Sequence, residues 1–274
     1  YHLLNILKKK QPETNNEHSS LFLPPQPRII TKETELGRIL KEEAPPLLIK
    51  TPWSASGRGL FRIRDQRDEP SQSNWVKGML RRQGKLYVEK TLDKIQDVSF
   101  QFWITKETVQ YKGHNFFYSD IKGQFAGCAI GKPENSNPQF NDESFVNAAI
   151  AEAAQQIEEG LKVMLPGLNY TGPAGVDGIF FKDEKGGLKL QPCLEINLRH
   201  NMGLANIKLK RHIHKEAKGL WKTEPFKNQS WTDFCREMER DHPPVFEDGK
   251  IRKGFLPITS PNENNLFGVW LLLD

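Results

Sequence analysis

Two acidic residues and an asparagine occupy matching positions on two predicted strands late in the chain. Asp177 lies in the apolar run 176–181, and Glu195 and Asn197 lie two residues apart at the end of the run 188–197. Side chains two residues apart on a strand emerge on the same face. Two carboxylates and an amide oxygen on one face form the oxygen-rich type of site that Mg²⁺ accepts while it keeps waters and binds phosphates. The alternative is an ordinary polar face of a hairpin exposed to solvent.

Arg199 continues the same spacing, so we expect its side chain to point to the same side as Glu195 and Asn197. A guanidinium beside a metal site is well placed to neutralise a phosphoryl group during its transfer. The segment Lys182–Gly187, with the sequence KDEKGG, is a strong turn signal between the two runs. The sequence therefore predicts a hairpin that carries all four polar side chains.

An earlier segment combines a lysine with a glycine-containing loop. Lys50 ends the apolar run 47–49 and is followed by the small-residue sequence TPWSASGRG. Such a loop can bring backbone N–H groups close to phosphates, although it lacks the Gly-Lys-Ser/Thr ending of a P-loop. We predict that residues 54–59 are mobile without nucleotide and become ordered with it. The alternative is a well-packed turn anchored by a buried Trp53 indole.

A third segment contains a strand end followed by acids. Glu89 and Lys90 end the apolar run that begins at Leu86, and Asp97 follows. The backbone of this segment could contact the edge of a purine, with the acid further on available for a ribose. Taken alone, the segment is equally consistent with solvated charges at the end of a strand.

The remaining patterns indicate which elements position these groups. Apolar residues at helical spacing predict a long helix over 142–164, and alternating residues with turn signals predict antiparallel strands between 98 and 128. The apolar run 267–273 predicts a final strand. The fold class predicted from this mixture is α+β with antiparallel sheets.

The order of the three segments resembles the ATP-grasp superfamily. The matching words are LLIKTPWSASGRG at 47–59, LYVEKTLDKIQDVS at 86–99 and GVDGIFFKDEKGGLKLQPCLEINLRHNMG at 175–203. The resemblance extends over about residues 28–203. It implies the ATP-grasp fold, in which two α+β lobes with antiparallel sheets clasp ATP between them.

The resemblance also implies roles for the ATP-binding residues. Lys50 would contact an ATP phosphate and take part in catalysis. The phosphate-covering loop would contain Ser54, Ser56, Gly57 and Gly59. The adenine hinge would be formed by Glu89, Lys90 and the backbone near Leu92. Asp97 would bind the ribose, with Asp93 as the alternative because hinge lengths vary.

By the same resemblance, Asp177, Glu195 and Asn197 would be the magnesium ligands, with Glu195 bridging two ions. Mn²⁺ could replace Mg²⁺. Arg199 would be the catalytic arginine that stabilises the transferred phosphate.

The resemblance implies a domain organisation as well. Residues 1–30 would be an N-terminal connector, residues 31–97 the small lobe with the glycine loop, and residues 98–274 the large lobe with the metal site. ATP-grasp ligases usually carry an N-terminal α/β domain that helps to bind the acceptor. We therefore expect either that the connector is a remnant of a missing domain or that this protein does without one.

The implied function is an ATP-dependent ligase that activates a small carboxylate as an acyl phosphate for attack by an amine or a thiol. One alternative is an ATP-grasp-like kinase that phosphorylates a hydroxyl group. Another is a nucleotide-binding module without turnover. A homodimer is compatible with all three.

Composition restricts the class of protein further. The chain has 274 residues, a formal charge of +5 and 27% charged residues, and its 16 Phe and 6 Trp exclude a disordered chain. No apolar run approaches the ~20 residues that span a bilayer, so we expect no membrane segment. The basic run 208–222 has few interleaved aromatic residues, which argues against nucleic acid and favours a solvated face or attraction of an anionic substrate. Three widely spaced cysteines favour a reducing compartment and a cytoplasmic location.

Overall fold

The computed structural model describes residues 2–10, 19–53, 59–65, 69–120, 123–133, 137–164, 167, 169–227 and 229–274. Its α-helices are α1 His2–Lys10, α2 Glu33–Glu42, α3 Glu69–Gln83, α4 Pro138–Asn141, α5 Glu143–Met164, α6 Met202–Leu209 and α7 Trp231–Asp241. Its first seven strands are β1 Arg28–Ile30, β2 Leu47–Lys50, β3 Leu60–Ile63, β4 Leu86–Lys90, β5 Asp93–Ile104, β6 Val109–Ser119 and β7 Phe125–Ile130. The later strands are β8 Gly172–Lys182, β9 Leu188–Asn197, β10 Gly219–Pro225, β11 Val245–Glu247, β12 Lys250–Pro257 and β13 Phe267–Leu273.

The chain forms two compact units. The smaller unit contains Pro24–Asp93 and Ser119–Phe125, and the larger one contains Tyr1–Leu23, Lys94–Tyr118 and Ala126–Asp274. The first segment of the smaller unit thus ends slightly before the lobe boundary that we predict at residue 97, and a second segment of the unit lies beyond it.

The smaller unit is a four-stranded sheet in the order β1-β4-β2-β3, covered by α2 and α3. Alternation along β2 buries Leu47 and Ile49 against the helices and leaves Lys50 on the other face. Val88 on β4 lies directly opposite Ile49 and is buried with it. The apolar residues of these short strands therefore define a core face and a polar face.

The larger unit contains a nine-stranded sheet in the order β11-β12-β13-β10-β7-β6-β5-β8-β9. One face of its centre is apolar, with Val98 and Phe100 buried against the inner side of α5. Helix α1 packs on α5 at Gly160, where a Cβ atom would lie 2.4 Å from Leu3 Cδ1. The opposite face carries the polar residues Asp97, Ser99 and Gln101 of β5.

The expected helix and strands are found with small differences. The predicted helix 142–164 is α5, and the carboxylate of Asp142 accepts hydrogen bonds from the N–H groups of Ser144 and Phe145 at its start. The predicted hairpin is β8–β9, whose turn has Gly186 at φ +87°. None of the helices that the structure describes has the length and apolar character needed to cross a lipid bilayer.

Candidate functional site

The hairpin β8–β9 brings the predicted metal ligands together. Asp177 lies directly opposite Glu195 in the strand register, and Gly175 lies opposite Asn197. Side chains of directly opposed residues share a face of the sheet. The Asn197 Nδ2 group donates a hydrogen bond of 3.0 Å to Asp177 Oδ2. The two carboxylates and the amide therefore form one local cluster within the larger unit.

Arg199 reaches this cluster by a route that differs from the expected strand alternation. Strand β9 ends at Asn197, and the N–H of Arg199 donates to the carbonyl of Asn197 at 3.0 Å, so the chain turns immediately after the strand. The guanidinium nevertheless donates a 2.9 Å hydrogen bond to Asn197 Oδ1. The expectation that Arg199 continues the strand was wrong, although its guanidinium does lie beside the acidic cluster, as expected.

Two residues that the sequence interpretation did not single out support Asp177 from the neighbouring strand β5. Ser99 Oγ donates a 2.6 Å hydrogen bond to Asp177 Oδ1, and Gln101 Nε2 donates a 2.7 Å hydrogen bond to Ser99 Oγ. Asp97, Ser99 and Gln101 are polar residues that alternate with the apolar Val98 and Phe100 along β5, and all three are buried. That alternation was the available signal, because buried polar side chains on a strand need partners.

The electrostatics of the cluster favour a cation. Burial is the largest of the causes that raise the pKa of Asp177 to about 7; the negative charges of Glu195 and Asp97 act in the same direction, whereas the Ser99 hydrogen bond and Arg199 lower it. A raised carboxyl pKa means that ionisation of this buried carboxyl group is unfavourable. A divalent cation would offset this cost directly.

The donor set fits a hard, partly hydrated metal ion. Among the described residues, no group of three or more His, Cys, Asp and Glu side chains could hold a metal ion. The cluster instead offers two carboxylates and one amide oxygen. Mg²⁺ commonly uses one or two carboxylates and completes its shell with waters and phosphate oxygens, whereas a structural Zn²⁺ site would need four protein ligands.

Asp97, the predicted ribose acid, is 7% exposed and lies in the larger unit with the cluster. Its carboxylate accepts a 2.7 Å ion-pair contact from Lys94 Nζ. The alternative ribose acid, Asp93, is exposed and is the last residue of the first segment of the smaller unit. The choice between the two stays a prediction.

In the smaller unit, Lys50 and Glu89 form an ion pair on the polar face of the sheet, with Lys50 Nζ 2.5 Å from Glu89 Oε2. Burial raises the pKa of Glu89 to about 7, whereas the adjacent ammonium favours the ionised carboxylate. The Glu89 carboxylate is therefore directed to Lys50. Lys90 is exposed and Leu92 is half-buried, and the predicted contact of this hinge with adenine stays a prediction.

The predicted phosphate loop is described only at its ends, because Ser54, Ser56 and Gly57 lie outside the described residues. At the base of the loop, the N–H of Thr51 donates to the carbonyl of Gly59 at 2.9 Å.

The Trp53 side chain is 82% exposed, so the alternative of a buried indole anchor was wrong. The backbone of Trp53 is held instead by the Gln83 side chain, which accepts from the Trp53 N–H at 2.9 Å and donates to its carbonyl at 2.8 Å.

Comparison of the sequence with protein-family models gives no match, and comparison with curated proteins gives none either. Solved structures do match. Biotin carboxylase from Campylobacter jejuni, described as a β-γ-ATP complex, has a TM-score of 0.58 and 11% identity, over 98% of this chain and 61% of that one. N5-carboxyaminoimidazole synthase from Aspergillus clavatus, with ADP and 5-aminoimidazole ribonucleotide, has a TM-score of 0.53 and 15% identity, over 99% of this chain and 66% of that one. This chain has the ATP-grasp fold.

The match extends over nearly the whole of this chain but over a smaller part of its neighbours. N5-carboxyaminoimidazole synthetase from Staphylococcus aureus, complexed with ADP, has a TM-score of 0.53 and 13% identity over 92% of this chain and 64% of that one. The chain thus spans 61% to 66% of the length of these three proteins. The predicted fold is confirmed.

Proposed function

We propose that this protein is an ATP-dependent ligase that activates a small carboxylate as an acyl phosphate and transfers the acyl group to an amine or a thiol. The observation that carries the proposal is the hydrogen-bonded cluster of Asp177, Asn197 and Arg199, with Glu195 opposite Asp177, on an ATP-grasp scaffold. Paired carboxylates next to a guanidinium suit phosphoryl transfer better than they suit a structural role.

Each proposed residue has a separate task in the first step. Asp177, Glu195 and Asn197 would hold Mg²⁺, for which two ions are proposed with Mn²⁺ as a substitute. The metal supplies charge neutralisation on the phosphates. A carboxylate oxygen of the substrate attacks the γ-phosphorus of ATP, and the bond from that phosphorus to the ADP oxygen breaks. Arg199 and Lys50 would hold the phosphate oxygens in line and neutralise the charge that develops on them.

In the second step, the amine nitrogen or thiol sulfur attacks the acyl carbon. The bond from that carbon to the phosphate oxygen breaks, inorganic phosphate leaves, and the nucleophile loses its proton to solvent. No protein nucleophile is needed for this sequence. The cysteines are consistent with this, since all three are buried, none is in a disulfide, and burial raises the pKa of Cys128 to about 12.

The proposed nucleotide is ATP, the proposed substrates are small molecules, and the proposed location is the cytoplasm. Solved neighbours contain ADP, and one of them also contains 5-aminoimidazole ribonucleotide, which supports ATP as the nucleotide and small molecules as the other substrates. Ser54, Ser56, Gly57 and Gly59 are proposed to cover the phosphates, and the segment 89–92 to contact adenine. Buried cysteines that form no disulfide support the proposed cytoplasmic location.

The proposal is tested by trapping the acyl phosphate. The protein is incubated with MgATP, hydroxylamine and a library of small carboxylic acids, and both hydroxamate and ADP are measured. A ligase gives hydroxamate, because hydroxylamine captures an acyl phosphate, whereas a kinase acting on hydroxyl groups gives ADP without hydroxamate. Glu195→Ala is expected to lower both signals by about 100-fold or more, since metal charge stabilisation contributes several kcal/mol.

Glu247→Ala is the matched control, because Glu247 is an exposed acid on a distant edge strand of the same sheet. It should behave as the unmodified protein does. Turnover in Glu195→Ala within a few-fold of the unmodified protein would show that the metal assignment is wrong. ADP release without hydroxamate for every acid that stimulates it would show that the reaction is not carboxylate activation.

A further inference from the structure

The polar face of β5 contains a chain of hydrogen bonds that ends on the proposed metal ligand Asp177. Gln101 donates to Ser99 at 2.7 Å, and Ser99 donates to Asp177 Oδ1 at 2.6 Å. Ser99 and Gln101 are 6% and 1% exposed, so neither makes these bonds in competition with bulk water. Each donor in the chain is therefore committed to the next acceptor.

The direction of this chain follows from the number of hydrogens available. A serine hydroxyl has a single O–H, and here it is directed to Asp177. The Ser99 oxygen can then only accept from its other neighbour, which requires Gln101 to present Nε2 rather than Oε1. These hydrogen bonds therefore stabilise the ionised form of Asp177, because each of them is donated towards its carboxylate.

The Gln101 end of this series of hydrogen bonds has an energetic cost. Gln101 Oε1 is buried and has no hydrogen-bond partner in the part of the chain that the structure describes. A buried amide oxygen without a partner is unfavourable, and an apolar residue at this position would remove the cost. The orientation of Gln101 towards Ser99 is kept in spite of that cost.

Two glycines make room for this arrangement. A Cβ atom on Gly203 would lie 2.3 Å from Gln101 Nε2, and a Cβ atom on Gly175 would lie 2.6 Å from Asn201 Nδ2. Asn201 in turn caps α6 by accepting a hydrogen bond from the N–H of Leu204. The start of α6 and strand β8 therefore both approach closely around Gln101.

We infer that Ser99, oriented by Gln101, is a positioning residue that fixes the carboxylate of Asp177 for metal binding. The inference rests on the proposed function, because it assumes that Asp177 binds the metal. Ser99 would not touch metal or substrate. Its hydroxyl holds Oδ1 while Asn197 holds Oδ2, so that the carboxylate plane is fixed from both sides before a cation arrives.

The test measures metal affinity directly, with Mn²⁺ as the probe and electron paramagnetic resonance as the readout, in the presence of saturating ADP. Ser99→Ala is expected to weaken Mn²⁺ binding roughly 10–100-fold, the usual effect of removing a partner of a metal ligand. Ser99→Thr keeps the hydroxyl and should bind within about three-fold of the unmodified protein. Gln101→Leu keeps the size, removes the donor to Ser99 and should give an intermediate loss.

Ser20→Ala is the matched control. Ser20 Oγ also donates to a carboxylate, that of Glu152, at 2.9 Å. The Ser20 carbonyl accepts from the N–H of Leu190 on β9, five residues before Glu195, and the substitution leaves this backbone bond in place. Removal of the Ser20 hydroxyl should leave Mn²⁺ affinity unchanged. Thermal unfolding of every variant separates loss of affinity from loss of folded protein, and if Ser99→Ala does not fold, Gln101→Leu carries the test.

The outcomes distinguish this inference from the proposed function. Lost binding in Glu195→Ala together with unchanged binding in Ser99→Ala and Gln101→Leu would overturn the role of Ser99 and leave the metal site intact. Unchanged binding in Glu195→Ala as well would overturn both. An equal loss in Ser20→Ala would also overturn the inference, because the effect would then be general.

Discussion

Lys50 and Glu89 neutralise each other on the polar face of the smaller sheet. Their side chains are 16% and 19% exposed, so the pair is mostly removed from water. Removing one partner of such a pair leaves a desolvated charge, which is more costly than breaking a pair on the surface. If Lys50 binds ATP phosphate as proposed, a phosphate oxygen joins or replaces the Glu89 carboxylate as its anionic partner, because an ammonium has three N–H donors.

Glu89→Gln should therefore lower the melting temperature and should be rescued by nucleotide. We expect the loss of the buried partner to cost about 1–3 kcal/mol, and MgATP to raise the melting temperature more in the variant than in the unmodified protein, because its phosphates supply the missing anion. Differential scanning calorimetry with and without MgATP measures both effects.

The control for this experiment is Glu33→Gln, which removes the more exposed ion pair between Glu33 and Lys77 in the same unit. It should cost little and should gain nothing extra from nucleotide. Equal nucleotide shifts in the two variants would show that Lys50 does not meet the phosphates.

At the scale of elements, the side chain of Gln83 stabilises the start of the predicted phosphate loop. Gln83 is the last residue of α3, and its amide pairs with both the N–H and the carbonyl of Trp53, as a neighbouring strand would. Thr51 adds a third bond, from Oγ1 to the same carbonyl at 3.0 Å. A helix end thus fixes the backbone at which the loop begins.

Gln83→Leu should release that backbone. Two hydrogen bonds contribute about 1 kcal/mol each, so we expect amide hydrogen exchange of the segment 51–53 to become at least ten-fold faster. Exchange measured by mass spectrometry reports the change. Gln155→Leu, which removes a glutamine hydrogen bond on the surface of α5, should leave the segment unchanged. Slow exchange in Gln83→Leu would show that Thr51 alone holds the loop base.

The same elements show how far a sequence interpretation reaches. The period-two pattern and the turn KDEKGG were sufficient to predict the β8–β9 hairpin, because local rules determine strand alternation and turn type. The sequence did not indicate the partner of Asp177. Ser99 is 78 residues away, on a strand whose pairing with β8 depends on the whole sheet.

Local rules also fail where the chain leaves a regular element. Arg199 follows β9 by two residues, and a turn there replaces the alternation on which its predicted direction depended. Trp53 was a candidate for burial because indoles are large and apolar, yet the anchor at that position is a polar side chain from α3. In both cases a hydrogen bond outside regular secondary structure decides the geometry.

For the molecule as a whole, positive charge is concentrated in the segment that follows the strand of Glu195 and Asn197 in the sequence. Eight Lys and Arg residues but only two acids lie between Arg199 and Lys227, against a formal charge of +5 for the entire chain. The rest of the chain is therefore close to neutral. A positive segment directly after the strand that carries Glu195 would attract anionic substrates to the larger unit.

The stabilisation of the protein by Mg²⁺ should depend on pH, because the proposed ligand Asp177 titrates near neutral pH. Burial raises the folded-state pKa of Asp177 from 3.8 to about 7, so the folded protein holds a proton that the unfolded chain has already lost between these values. Without metal, the contribution of Asp177 to stability is fully present below pH 3.8 and is lost as the pH rises through about 7. Metal binding needs the ionised carboxylate, so protons compete with the cation below pH 7.

We therefore expect Mg²⁺ to raise the melting temperature only slightly at pH 5.5 and to its full extent at pH 8. Scanning calorimetry across this range measures the effect, and Asp177→Asn, which has no titrating group at this position, should abolish the difference between the two pH values. A Mg²⁺ shift of equal size at pH 5.5 and pH 8 in the unmodified protein would show that Asp177 is not where the cation binds.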